Sequence, residues 1–585
     1  SPLGDLPAAT EVGPPADELP PYLAITEPEW GAIFPSGQAF KLVAELWDES
    51  PLATDIRLTS LLSGAQSKAA PGLTVELALD LPAGLQLVQV EAIDTAGLTS
   101  REHRAVRTGP FAPCVSAPGI PDMAWDVGNN ALAVGGEYIA GLIQEIDLAP
   151  YLEAANPAYD EGGIAVNLES LDLLQLEVHP AVANSQLTAA VSLYELAAHG
   201  TIRLEGFPAP YLFSGSISDL NLQFWLSAAI IEGALYFQVT DIEIDAGEVV
   251  LTVWNDAGEE VVAPTAVDGA FLDFVTDTLA ETLVEWVNGS AEAAQAWLSG
   301  TFTFEFMDHP FDVQYAVIGV DILQTRLRLG FHASVNLPDA PEGCVVRTLA
   351  PPPASYEDDF DVSAWFAMDF LNRVLQQLWA MNVLNWTVDQ AMVDDLKLEI
   401  DLVAGLMGDH LRLAAGGISP EAPLTIQAEL LIPPEFQALQ AGLVGVDAGP
   451  GLVVGGMRLR PFVGSGTTGT PFASLLLSVA AALRAEIHNN SLILAPSLPA
   501  FAMDVDGIPE GTGRSQYDMK RLVEREVEGH IETLLPDAIQ GVAGALLAIP
   551  LPEAGGITLV HGELAAQDDP GYLRISGTVA GGKAP

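Results

Sequence analysis

Residues 361 to 384 read DVSAWFAMDFLNRVLQQLWAMNVL. Phe366, Phe370, Leu371, Val374, Leu375, Leu378 and Trp379 recur at spacings of three and four, which predicts an amphipathic helix with a wide apolar face. Strand-like runs follow in LKLEIDLVAGLMGDHLRLAAGG, LTIQAELLIPPEF, GLVVGGMRLRPFV, FASLLLSVAAALRAEI and NSLILAP. A second helical pattern covers about 518–547. Its stripe is Leu522, Val523, Val527, Ile531, Leu534, Leu535, Ile539 and Val542, and Pro536 kinks or divides it. The chain then ends in two or three strands.

The same order occurs upstream. NNALAVGGEYIAGLIQEIDL, at 129–148, is a helical pattern carrying Ile139, Leu142 and Ile146. Apolar runs follow, among them QLTAAVSLYELAAHGTIRLEGF and LFSGSISDLNLQFWLSAAIIEGALYFQVTDIEID. They are long for strands and alternate imperfectly, as long bent antiparallel strands with one apolar face do. A second helix is expected at about 268–298, with Phe271, Phe274, Val275, Leu279, Leu283, Trp286 and Val287 on one stripe and acids largely opposite. Strands close this unit too. Gly135, Gly136 and Gly141 in the first helix give either close packing or room for a ligand, and the width of the stripes favours room.

Cys114 and Cys344 are the two cysteines and flank the upstream unit. A disulfide between them would close a loop of about 230 residues and contribute roughly 5 kcal/mol in the chain-entropy treatment; two inert buried thiols are the alternative. Pairing would imply an oxidising compartment.

The 585 residues include 78 Asp and Glu but only 22 Lys and Arg, a formal net charge of -56. Such a field repels nucleic acid and anionic lipid surfaces. It is tolerated where salt screens self-repulsion, so a saline habitat or plain solubility explains it. No run of 18 apolar residues with helical composition marks a membrane span. The opening SPLGDLPAATEVGPPADELPPY is Pro-rich and acidic and reads as a disordered tether. It suggests an exported protein whose signal or lipid-bearing segment has been removed, or simply the edge of the expressed stretch.

Residues 22–112 have another texture: short alternating runs with turn signals every 8 to 12 residues, the pattern of a small β-sandwich. The segment resembles bacterial immunoglobulin-like domains in Pro28, Gly31 and Pro35 near the first strand and in the Ala92, Asp94, Ala96, Gly97 turn before the last. Asp48, Glu49 and Asp94 are acids of the type that bind calcium between loops, but scattered acids are expected in so acidic a chain.

Catalytic signatures are missing. The nine histidines form no HxH or HExxH pair, and there is no GxSxG elbow, Walker loop or CxxC. GSGTTGT at Gly464–Thr470 lacks the lysine of a phosphate loop. His530 sits among glutamates on an expected exposed helix face, and His561 lies in a closing strand run. No cofactor or metal site is expected, and an enzyme is the weaker reading.

From about residue 115 onward the chain resembles the tubular lipid-binding superfamily, in its two-domain bactericidal permeability-increasing-protein-like form. The resemblance rests on FLNRVLQQLWAMNVL at Phe370–Leu384 and on IPLPEAGGITLVHGEL with GYLRISGTV between Ile549 and Val579. It implies a mostly β, α+β chain: a tether at 1–21, the sandwich at 22–112, and two elongated wrapped-sheet barrels at 113–350 and 351–585, each packed with long helices. It also implies apolar grooves for acyl chains, sterols or other lipids. Groove candidates are Ile139, Leu142, Ile146, Phe271, Val275, Leu279, Phe370, Val374, Leu378, Ile531, Leu535 and Ile539, all of which would serve equally well as core. The basic tip of the family's endotoxin-binding members has no counterpart here, so a neutral lipid cargo or a basic protein partner fits better. The expected location is the periplasm, the outer cell surface or the exterior. A structural or adhesive surface protein, with the sandwich as spacer, is the rival reading.

Overall fold

The computed structural model describes residues 20–581 except 37, 49–55, 114–118, 145–155, 162, 208, 232, 263–275, 277–283, 285–297, 307–308, 336–341, 347, 349, 355–359, 396–400, 440–448, 465, 468–469, 489–490, 509–519, 522, 525, 528–547, 551–556 and 568–570. The chain is mostly β. It forms an N-terminal two-sheet sandwich, a seven-stranded central sheet, and two curled, open sheets.

The sandwich packs strands Tyr22–Glu27, Phe40–Trp47 and Thr74–Leu79 against a five-stranded sheet containing Ile56–Ser60, Gly84–Ile93 and Thr99–Gly109. Alternation decides its core: Phe40, Leu42, Ala44 and Leu46 point inward from one strand and meet Leu58, Val88, Val90 and Val106 from the other sheet. The stretch Pro28–Ala32 carries the chain from the first sheet to strand Ile33–Pro35, which pairs parallel to Thr99–Gly109. Asp94 closes the turn that follows Ile93, its Oδ1 accepting the Leu98 N–H at 2.8 Å. Its role there is a local turn cap.

The central sheet has the order Ser299–Phe306, His309–Ile322, Arg326–Val335, Met123–Gly128, Val362–Ala367, Tyr572–Gly581, Ile557–Gln567. Its strands come from both halves of the chain. At its middle Met123–Gly128 and Val362–Ala367 pair antiparallel, with Trp125 opposite Ala364. Each of these strands leads directly into a helix, Asn129–Gln144 and Met368–Ala380. The duplicated plan in the sequence therefore appears as an approximate two-fold relation about this central pair. The strand at Val362–Ala367 corrects the expectation of a helix from 361. Its alternating buried and half-buried residues bond to strands on both sides, so sheet pairing overrides helical spacing there.

Each curled sheet grows from one of these strand–helix units. The first has strands Ile164–Ala183, Gln186–Leu204 and Tyr211–Ile231 at its centre, of 20, 19 and 21 residues. The long bent strands expected from sequence are present. The second contains Leu424–Leu430, Glu435–Leu439, Gly449–Val463, Ser474–His488 and Ser491–Gly507. The run at 396–417 does not form the expected strands where it is described. Ala404–Met407 is a 3-10 turn and Asp409–Ala414 a short helix, whose first amides at Asp409 and His410 donate to Glu526 at 2.7 and 3.0 Å. A cap supplied from more than 100 residues away decides that local structure.

The helices among the described residues are few and short, the longest being the 16 residues of Asn129–Gln144. Of the helix expected at 268–298, Thr276, Val284 and Leu298 are described, and all three are helical. Of 518–547, the described residues between 520 and 527 are helical. The two sheets are curled and open, consistent with the wrapped sheets expected, and most of the two long helical segments expected at 268–298 and 518–547 lies outside the described residues.

One face of the central sheet carries buried charge. Asp126, fully buried, accepts from Arg328 Nε and Nη2 at 2.5 and 2.6 Å and from Trp365 Nε1 at 2.8 Å. Arg328 also donates to the carbonyls of Pro352 and Pro353 at 2.6 and 2.9 Å. The register places Arg328, Asp126, Ser363 and Ser576 in one row across four strands, and Ser363 and Ser576 hydrogen-bond at 2.9 Å. Replacing Asp126 by Asn would leave the Arg328 charge buried without its partner. We expect Asp126→Asn to destabilise the chain by about 3–5 kcal/mol, read from chemical denaturation; a loss under about 1 kcal/mol would contradict the role given to this pair.

Candidate functional site

The inner face of the first curled sheet is apolar along its whole length. Val166, Leu168, Leu176, Val191, Leu193, Leu196, Ile202, Phe213, Leu222 and Phe224 are buried there, with Ala140 of the helix Asn129–Gln144. Toward the edge this surface continues through Ile242, Ile244, Val249 and Leu251, which are only half-buried. In the second curled sheet Leu475, Leu477, Val479, Met503 and Val505 meet Val523 and Val527, both fully buried. These two valines belong to the stripe read at 518–547, and here they are core.

The helix Asn129–Gln144 lies against strand Ile164–Ala183. Asn129 Nδ2 donates to the Val182 carbonyl at 3.1 Å, and its Oδ1 accepts the Val182 N–H at 2.7 Å. A β-carbon on Gly136 would overlap the Val178 carbonyl oxygen and Pro180, so this glycine serves close packing and not space for a ligand. A β-carbon on Gly135 or Gly141 would meet nothing within 4 Å.

Three groove candidates from the sequence are described with their side chains. Phe370 is buried in the core of the central sheet. Leu378 is buried with Leu384 and Leu430 at the edge of the second curled sheet, and half-buried Val374 touches both clusters. One helical stripe thus fills the junction between two sheets. The opposite side of the same helix is also buried: Arg373 pairs with Asp122 at 2.5 Å, and Asn372 bonds both backbone groups of Phe436 at 3.0 and 2.6 Å. Ile139 and Leu142 lie in the helix Asn129–Gln144, with side chains outside the described set. Ile146, Phe271, Val275, Leu279, Ile531, Leu535 and Ile539 lie outside the described residues altogether. Glu49 does as well.

Cys114 is likewise outside the described residues. Cys344 is buried on strand Glu342–Val345, which pairs with Phe111–Pro113 and sets Cys344 opposite Ala112.

Sequence reasoning missed the best-built polar site. The sandwich is docked on the second curled sheet. Leu62, Leu85, Leu87 and Ala105 pack with Ile432, Leu439, Val453, Ala480 and Ala482. Gly455 permits this approach, since a β-carbon there would lie 2.6 Å from that of Ala105. Within the apolar contact Arg107 Nε donates to Glu435 Oε1 at 2.9 Å, and Glu435 Oε2 accepts the Leu85 N–H at 2.7 Å. Beside it, His103 is fully buried, with Nδ1 2.9 Å from Asp504 Oδ2 and Nε2 3.0 Å from Ser478 Oγ. Burial pushes the Asp504 carboxyl up, but the charge of His103, their hydrogen bond and Lys520 outweigh it and hold the carboxyl below its ordinary range. A legible signal existed: the strand TSREHRAVRTG concentrates Arg101, Arg104 and Arg107 in a chain poor in basic residues.

Among the described residues there is no group of three or more His, Cys, Asp or Glu placed to hold a metal ion, and no helix long and apolar enough to cross a membrane. No protein-family model matches the chain, and no curated protein matches it. Among solved structures, a lipopolysaccharide binding protein is similar at a TM-score of 0.41 and 12% identity, over 79% of this chain and 99% of that one. Fibronectin(III)-like modules of Clostridium thermocellum CbhA match at a TM-score of 0.13 and 10% identity, over 41% of this chain and 90% of theirs. Neither likeness reaches the level of a shared fold.

The glycines of the helix Asn129–Gln144 separate packing from space. Gly136→Ala should destabilise by about 1–3 kcal/mol through overpacking. Gly135→Ala should be neutral or stabilise by up to about 1 kcal/mol, because alanine favours the helix. Thermal or denaturant unfolding of the two variants checks the pair, and equal effects would contradict this packing.

Proposed function

We propose that the chain binds a hydrophobic ligand, such as a lipid, sterol or fatty acyl chain, along the apolar inner faces of its two curled sheets. The observation that carries this reading is the margin of Ile242, Ile244, Val249 and Leu251. These residues extend the apolar face of the first curled sheet but are only half-buried. Burying such surface against an acyl chain is favourable by about 25 cal/mol per Å². The strand–helix units, curled sheets and shared central sheet also support placing residues 113–585 in the tubular lipid-binding superfamily, as two units at 113–350 and 351–585. The sandwich at 22–112 would then be an immunoglobulin-like addition.

The surface charge favours a neutral ligand, or one delivered by a basic partner protein, over an anionic headgroup. The periplasm, the cell surface or the exterior is the location that suits such a carrier. A pairing of Cys114 with Cys344 belongs to the same proposal. The strand at Phe111–Pro113 sets Ala112, two residues before Cys114, beside Cys344. A sandwich docked through a buried polar network supports a carrier with a fixed accessory domain over an adhesive protein with a spacer.

Organic extraction of the purified full chain followed by mass spectrometry should recover a lipid or other apolar compound in stoichiometric amount. With a fluorescent fatty acid as probe, Ile244→Asp should weaken binding about tenfold or more, since a carboxylate would be desolvated beside the ligand. Empty extracts together with no probe binding would overturn the proposal. Peptide mapping without reductant should recover Cys114 and Cys344 in one linked fragment, and alkylation of both as free thiols would rule the pairing out.

A further inference from the structure

The helical residues between 520 and 527 face three different parts of the molecule. Val523 and Val527 are buried in the interior of the second curled sheet. Glu526 caps the short helix Asp409–Ala414. The third side meets the sandwich. Lys520 Nζ lies 2.9 Å from Glu102 Oε1, and Glu102 Oε2 accepts the Ile25 N–H at 2.9 Å. Arg521 donates to the carbonyls of Leu23 and Arg101 at 3.0 and 3.3 Å and to Glu524 Oε2 at 2.8 Å. Glu524 Oε1 accepts the Val505 N–H of the sheet at 3.1 Å. The same two turns of helix therefore form part of the sandwich interface and part of the apolar interior.

We propose that the sandwich is a clamp on the interior of the second curled sheet, its docking holding this helix in place so that docking and the order of that interior are coupled. The coupling does not depend on whether the interior carries a ligand, so it stands or falls separately from the lipid-binding reading.

The clamp also responds to protons. The charged groups around Glu524 are Arg521 and Lys520 on its own helix, Asp504 on the sheet, and Glu102 and His103 on the sandwich. Burial pushes the Glu524 carboxyl up from 4.5 to about 7, against the opposing pull of Arg521 and Lys520. A folded value above the ordinary one means that the docked state takes up a proton. The contribution of Glu524 to docking is then fully present below pH 4.5, is lost as the pH rises to about 7, and is level above that. Asp504 is shifted the other way, so its contribution is lost only in more acidic solution.

Hydrogen–deuterium exchange of the full chain, corrected for the intrinsic pH dependence of amide exchange, tests both statements. Glu102→Gln removes the charge opposite Lys520. It should raise exchange about tenfold both in the sandwich strand Thr99–Gly109 and at 520–527. Faster exchange in the strand with unchanged protection at 520–527 would overturn the coupling, and so would no response in either. In the wild-type chain, protection at 520–527 should fall by up to about 100-fold between pH 5 and pH 8. Glu524→Gln keeps an acceptor for Val505 and should flatten this profile; an unchanged profile would remove Glu524 from the proposal.

Discussion

The fold depends on where one carboxylate is held. Asp126 lies at the centre of the sheet shared by both halves of the chain and is satisfied from both. Arg328 reaches it from the strand that closes the upstream unit, and Trp365 from the strand that opens the downstream one. A charge so far from water is tolerated only when its partners are complete, so this carboxylate fixes which strands must be neighbours and in what register. Arg574 and Arg328 both lie over the Trp365 ring, at 5.5 and 5.8 Å, which adds the next strand to the same cluster. From this sheet the two curled sheets extend as separate apolar surfaces.

The use of basic residues follows the same logic. Arg107, Arg328, Arg373, Arg521 and Arg574 are all buried, in a chain with only 22 Lys and Arg. Arg107, Arg328, Arg373 and Arg521 each pair with a carboxylate across or beside a boundary between parts of the molecule. A planar guanidinium with five donors suits this task better than an ammonium group. Each of these pairs buries a carboxylate with its cation, so the outer surface keeps the strongly acidic balance of the whole chain. Such a surface repels anionic membranes.

The sequence is most readable where burial is one-sided. The long strands of the first curled sheet were legible because an apolar face, though imperfectly alternating, runs through about 20 residues. The helix at Met368–Ala380 was legible for the same reason at a different period. Its approach was not, because Phe366 fits both the helical stripe and the alternation of strand Val362–Ala367. The closing strands of each unit were legible, but the central sheet they form was not. Its pairings join Asp126 to Arg328 and Ser363, more than 200 residues away, and nothing local distinguishes those positions. Of the groove candidates, Phe370, Val374 and Leu378 share one helix as read, but sequence cannot say whether a stripe fills a core. Phe370 and Leu378 fill one.

The triad at Ser478, His103 and Asp504 marks the boundary between geometry and function. Its distances, 3.0 Å from serine to imidazole and 2.9 Å from imidazole to carboxylate, are those of a nucleophile with its base and orienting acid. Yet Ser478 and His103 are fully buried between two packed sheets, and the serine hydroxyl already accepts the Gly456 N–H at 3.0 Å. No reacting carbonyl reaches an oxygen so enclosed. What the arrangement supplies is direction. Ser478 and Asp504 belong to the curled sheet and His103 to the sandwich, so the Nε2 contact to Ser478 and the His103 N–H bond to Asp504 form only when the domains meet in one orientation. Apolar contacts alone, among leucines, alanines and glycines, would permit sliding. The buried imidazole removes that freedom, because each small displacement leaves a polar atom without water and without a partner.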